Sequence, residues 1–157
     1  MITKNFMACV IAKTDPEIDV SAKKVDGEYA TQAYGNIGNF LGFVSGNGLD
    51  YSSGQSMGLL LGSGDSSASV DDYKLESLVT DYSVFTHSKT SLGTYDTLCT
   101  VFSRTIKANS NITIKEYGVV SVDSRGNALL LAREVLPEPV VLQPGEKHTF
   151  TMTIGLE

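Results

Sequence analysis

Of the side chains that could do chemistry, Glu116 and Arg133 stand in the most telling positions. In "ITIKEYGVVSV" the apolar residues Ile112, Ile114, Val120 and Val122 alternate as on one face of a strand, and Glu116 falls on that same phase. Arg133 sits inside the apolar run "LLLAREVL" of what reads as the neighbouring hairpin strand. A carboxylate pointing inward needs a compensating charge, and Arg133 supplies one. The chemistry expected of the pair is a structural ion bridge that fixes strand register, rather than general acid or base work.

The remaining reactive side chains lack the company that catalysis requires. His87 lies in a Thr and Ser-rich run and His148 just after a turn. Neither accompanies a G-x-S-x-G elbow or a cysteine-protease signature, so both are expected on the surface. Cys9 and Cys99 fall in the apolar runs "FMACVIA" and "TLCTVF", where a free thiol acts as a small buried hydrophobe. They have neither zinc spacing nor the density of a disulfide scaffold. "LLLGSGD" has the glycines of a phosphate loop but no following Lys-Ser or Lys-Thr, and it does not fit G-x-G-x-x-G. Asp71 and Asp72 are expected at a helix N-terminus, where the backbone dipoles favour negative charge. "DSRGN" lacks the acidic ligands of a calcium loop, and Asn111-Ile112-Thr113, although it matches a glycosylation acceptor, follows no secretory signal. No catalytic, metal-binding or cofactor-binding residue emerges, and no enzyme is expected.

Bulk composition narrows the classes further. A chain of 157 residues, 41% hydrophobic and 19% charged, can bury a core as one domain without disulfides. No 18-residue apolar run is present to span a bilayer. The net charge of −6, with Lys23-Lys24 the only adjacent basic pair, argues against a nucleic-acid surface, which works through clustered Lys and Arg.

These residues must be positioned by strands. Residues 1–26 offer an apolar strand from Phe6 to Ala12, read as a first strand rather than a signal peptide, and then a turn at Asp15-Pro16; together they form an N-terminal docking arm. Ten of the fifteen glycines fall within 27–64, interleaved with aromatic residues, which reads as a Gly-rich region of short strands, loops and tight turns. The one short helix is expected in "SVDDYKLESLVTDY", where Ser69 and Asp72 have capping-box spacing. From residue 97 onward the pattern is strand: "TLCTVFSRTI", "ITIKEYGVVSV", a hairpin turn at "DSRGN", then "ALLLAREVL". Pro137 and Pro139 predict a crossing between sheets, "QPGE" a type II turn, and the alternation of Phe150, Met152 and Ile154 with Thr149, Thr151 and Thr153 a last strand. The fold class expected is all-β, a mainly antiparallel, jelly-roll-like β-sandwich of residues 1–157 with one short helix.

Two stretches carry a resemblance. "LLLGSGDSSASVDDYKLESLV", followed in order by "RTIKANSNITIKEYGVV", "LLAREVLPEPVVLQPGE" and "FTMTI", resembles the small β-sandwich structural proteins of tailed bacteriophages, over roughly residues 59 to 156. The resemblance implies a component of the head, neck or tail of a virion, made in the host cytoplasm. It implies partners that are other copies of itself and other virion proteins, with no small-molecule substrate, nucleic acid or membrane. The alternative is a carbohydrate-binding or receptor-binding adhesin, with Tyr29, Tyr34, Tyr51, Tyr73, Tyr82, Tyr95 and Tyr117 as stacking faces.

Overall fold

β-Branched and aromatic residues alternate through the C-terminal half, and that half forms long antiparallel strands. The computed structural model describes residues 1–15, 17–31, 56–94, 97–123 and 127–155, with backbone alone for 31, 56, 86–94 and 97–99. Helix α1 (Lys4–Thr14) leads into a two-stranded ribbon of β1 (Ser21–Lys23) and β2 (Tyr29–Thr31). β3 (Ser56–Gly62), β6 (Ile112–Val122) and β7 (Ala128–Leu142) form one antiparallel sheet in the order β3-β6-β7. β4 (Tyr82–Thr94), β5 (Thr97–Ala108) and β8 (Lys147–Gly155) form another, β4-β5-β8. The chain is thus all-β and antiparallel with one helix. Leu59, Leu61, Ile114, Val119, Leu129 and Leu131 of the first sheet share a core with Phe102, Ile106, Phe150 and Met152 of the second.

The helix is where a strand was expected, and the segment expected to be helical is not. Phe6 to Ala12 is a continuous apolar run, whose period alone does not separate strand from helix. As a helix it buries Asn5, Ala8, Cys9 and Ala12, an i, i+3, i+4, i+7 stripe of small side chains. The Asn5 side chain then acts as a strand partner for β1: Nδ2 donates to the Lys23 carbonyl at 2.8 Å and Oδ1 accepts from the Lys23 amide at 2.8 Å. Residues 1–3 line the margin of β7, with Ile2 bridging Ala132 and the Thr3 amide donating to the Leu131 carbonyl at 3.0 Å. The expected docking arm therefore packs on its own chain. Residues 69–81 form no helix but turns, bends and irregular chain with one bridge from Leu78 to Gly62, because their polar groups are taken by the sheet beneath them. The Val79 amide bonds the Leu61 carbonyl at 2.9 Å and the Ser63 amide bonds the Ser77 carbonyl at 2.8 Å.

The prolines do not mark a crossing either. β7 runs straight through Pro137 and Pro139 as an edge strand, where a missing N–H costs no ladder bond. Register breaks there, since Ile114 faces Val140 while Glu116 faces Val135. That irregularity also corrects the phase of Glu116. Ile112 and Ile114 join the larger core with Tyr117 and Val119, whereas Val120 and Val122, on the phase of Glu116, pack in a smaller one with Leu75 and Leu130.

The turns follow their sequence chemistry. At Asp123 to Asn127 the Asp123 amide donates to the Asn127 carbonyl at 2.9 Å, while its carboxylate accepts from the Asn127 backbone and side-chain amides, each at 2.8 Å. In "QPGE" the Glu146 amide closes on the Gln143 carbonyl at 3.0 Å with Gly145 at φ 91, a left-handed value that a side chain would strain. Most of the Gly-rich region, 32–55, lies outside the described residues. No helix is long and apolar enough to cross a membrane among the described residues.

Candidate functional site

β6 is the middle strand of its sheet, which puts Glu116 at the bottom of a polar cluster, and β7 brings Arg133 beside it. Nε of Arg133 donates to Oε2 of Glu116 at 2.6 Å, with the two residues 2% and 0% exposed. The other Glu116 oxygen, Oε1, accepts from the backbone amides of Gly64 and Ser77, each at 3.1 Å. The rest of the guanidinium turns outward to the loop of residues 63–79. One terminal nitrogen donates to Oδ2 of Asp72 at 2.8 Å, the other to the Ser66 carbonyl at 3.0 Å, and Glu76 lies 3.8 Å away. Asp72 also accepts the Ser69 amide at 2.8 Å, and Oε2 of Glu76 accepts the amide and hydroxyl of Ser66.

Electrostatics follow from this wiring. Burial works against the charge of Arg133, but hydrogen bonds to Asp72 and Glu116, with their negative charges, more than offset it and raise its pKa. The Ser66 hydroxyl and amide hold Glu76 below the usual carboxylate range. Glycine is required where the loop meets the pair. A Cβ on Gly64 would lie 2.7 Å from Oε1 of Glu116, and one on Gly62 would meet the same carboxyl.

Ser66, Asp71, Asp72, Tyr73, Lys74, Glu76 and Arg133 line a shallow cleft of about 250 Å³. Its floor is already committed: Arg133 directs every nitrogen to a protein acceptor, and both Glu116 oxygens are engaged. What the arrangement does is anchor residues 63–79 to the sheet. Among the described residues no group of three His, Cys, Asp or Glu side chains is placed to hold a metal.

The structure brings Glu116 and Arg133 together and scatters the other reactive residues. His148 is exposed at the start of β8, its ring 4.7 Å from that of Phe150. Cys9 is fully buried in α1, and burial pushes its thiol up to about 12. The side chains of His87 and Cys99 lie outside the described residues. Asp71 and Asp72 cap no helix.

One buried charge escaped the sequence reading. Arg104, 6% exposed on β5, donates to the Leu59 carbonyl and lies over the Tyr82 ring at 5.2 Å, with its Nε unbonded. In "TVFSRTI" it shares the phase of Phe102 and Ile106, so the argument that singled out Glu116 applied to it equally. Its place is on the margin of β3: no described strand lies beyond the Leu59 carbonyl, and Arg104 reaches across from the other sheet to satisfy it.

Among the tyrosines offered as stacking faces, Tyr117 is buried and donates to Glu134 at 3.0 Å, and Tyr82 packs against the core. Tyr73 carries the Lys23 ammonium 3.9 Å above its ring, while Tyr29 is 65% exposed. Tyr34, Tyr51 and Tyr95 lie outside the described residues. No family model, curated protein or solved structure matches the chain.

Proposed function

We propose that the protein is a structural component of a bacteriophage virion, in the head, neck or tail, acting through contacts with copies of itself and with other virion proteins. The resemblance over residues 59–156 is the source of this reading. Its support in the fold is the Glu116–Arg133 cluster, in which the buried charges are spent on holding a surface loop in one place. A fixed, hydrogen-bonded exterior loop is what repeated contact with identical neighbours demands, because ordering it at each contact would cost conformational entropy. The adhesin reading has less to stand on, since Tyr29 alone of the described tyrosines offers a strongly exposed, uncovered ring.

The test is immunogold labelling of purified particles from the phage that encodes the chain, with antibody raised against the purified protein. Regularly spaced label on intact particles is expected. Particles free of the protein, with all of it in the soluble fraction of infected cells, would overturn the proposal.

A further inference from the structure

Sheet edges carry unpaired N–H and C=O groups and join other chains unless something blocks them. Of the four edges of the two three-stranded sheets, those of β3 and β7 are blocked. On β3 the Leu59 carbonyl is taken by Arg104 and the Leu61 carbonyl by the Val79 amide. On β7 residues 1–3 cover one half, while Pro137, Pro139 and a register break occupy the other. β4 is only partly guarded, by a shift between Val84 and Thr86 and by Lys89 within its otherwise unbroken run from Thr86 to Thr94.

β8 has none of these devices. It pairs with β5 over nine consecutive positions, from Lys107 with Lys147 to Cys99 with Gly155, without a shift. It contains no proline, and Lys147 is its only charged residue. No described strand lies on its other side. Thr149, Thr151 and Thr153 are exposed on one face; Phe150 and Met152 are buried on the other. The exposed hydroxyls already pair across strands, Thr105 with Thr149 at 2.8 Å and Ser103 with Thr151 at 3.4 Å.

We propose that a second copy of the chain adds its own β8 here, antiparallel, making one continuous sheet β4-β5-β8-β8-β5-β4. A second copy fits because the strand is complementary to itself. Full overlap of Lys147–Gly155 centres the two-fold axis on Thr151, which sets Thr149 against Thr153, Phe150 against Met152 and Lys147 against Gly155 of the other copy. Hydroxyls meet hydroxyls, Phe150 meets Met152, His148 meets Ile154, and the lysines do not face each other. An edge of nine residues is about 30 Å long and about 10 Å deep with its side chains. That is roughly 300 Å² per copy, short of the roughly 800 Å² per partner of a standard stable interface, so the dimer is concentration-dependent.

The inference rests on the assembly reading above in taking a copy of the chain as the occupant. Its test is sedimentation or light scattering of the full chain from dilute to concentrated solution, with two charge variants on the exposed face. T149K/T153K places like charges opposite each other twice and is expected to weaken the dimer about tenfold. T149K/T153E places Lys opposite Glu twice and is expected to tighten it. T151C is expected to link two copies by a disulfide absent from the parent chain. A parent chain that is monomeric at every concentration, two charge variants that shift alike, or no T151C link in a sample that dimerises would each overturn the pairing. Monomeric protein that nonetheless labels particles leaves the virion reading standing, whereas dimers with unlabelled particles leave only the pairing.

Discussion

Glu116 and Arg133 gave up water to meet, and a buried pair of this kind adds less to stability than its 2.6 Å contact implies. Its influence shows when one member is removed. Arg133→Met leaves a carboxylate with no exposure and no counter-charge at its Oε2, and is expected to cost about 3–5 kcal/mol in urea unfolding. The double variant E116Q/R133M should lose less than Arg133→Met alone, since it leaves no fully buried charge behind, although Asp72 still loses its partner. A loss below about 1 kcal/mol for the single variant would show that the pair is dispensable. Strand alternation made this pair legible, because a charge on an apolar phase is conspicuous. The same alternation marked Arg104. Asp72, Glu76 and Ser66 were not legible as partners of Arg133, because nothing local in the sequence says which distant strand their loop will cover.

At the scale of elements, the loop of residues 63–79 behaves as a strap whose ties include Glu116 beneath it, Arg133 through Asp72, the margin of β3, Lys115 at Asp65 and the start of α1 at Val70. Asp72→Ala removes its tie to Arg133 and frees the Ser69 amide. The Gly64 and Ser77 amides, which bond Glu116, should then exchange with deuterium about tenfold faster, as expected for losing a charged hydrogen bond of about 1.5 kcal/mol. Unchanged exchange would mean that the other ties suffice. The capping-box spacing of Ser69 and Asp72 was real as a contact, since Asp72 does accept the Ser69 amide, yet no helix follows. Arg133 competes for the same carboxylate, and β3 competes for the backbone of Ser77 and Val79. Strand positions after residue 97 were readable because β-branched alternation and turn residues agree there. Phe6 to Ala12 was not, as an unbroken apolar run leaves the choice to its neighbours, and α1 won by presenting small residues to β1 and β7.

Across the whole molecule, acid is expected to loosen the fold in a definite direction. Asp26, Asp65 and Glu76 are held below the ordinary carboxylate values of 3.8 to 4.5, chiefly by an amide of the Glu28 backbone, by Lys115 and by Ser66. A lowered folded pKa means that the unfolded chain binds protons first as pH falls. The stabilisation is therefore complete above about 4.5 and is lost as pH drops through the folded values. Urea midpoints should be level from neutrality to the start of this range and decline below it, with a shallower decline in Glu76→Gln. An equally steep decline in that variant would place the acid sensitivity elsewhere. Fold class was legible at this scale; the division into sheets of two, three and three strands was not, because pairing between β3 and β6 or between β5 and β8 joins segments far apart in the chain.

The bond from the Thr3 amide to the Leu131 carbonyl also sets an order of events during synthesis. Thr3 leaves the ribosome well before the strand it lines has been made, by about 6–25 s at ordinary elongation rates. Until β7 emerges, the buried stripe of α1 has only β1 to lie against, so the nascent chain carries Phe6 to Ala12 partly unburied for most of its translation. That interval is long compared with helix formation, which makes this the stretch a chaperone would find first.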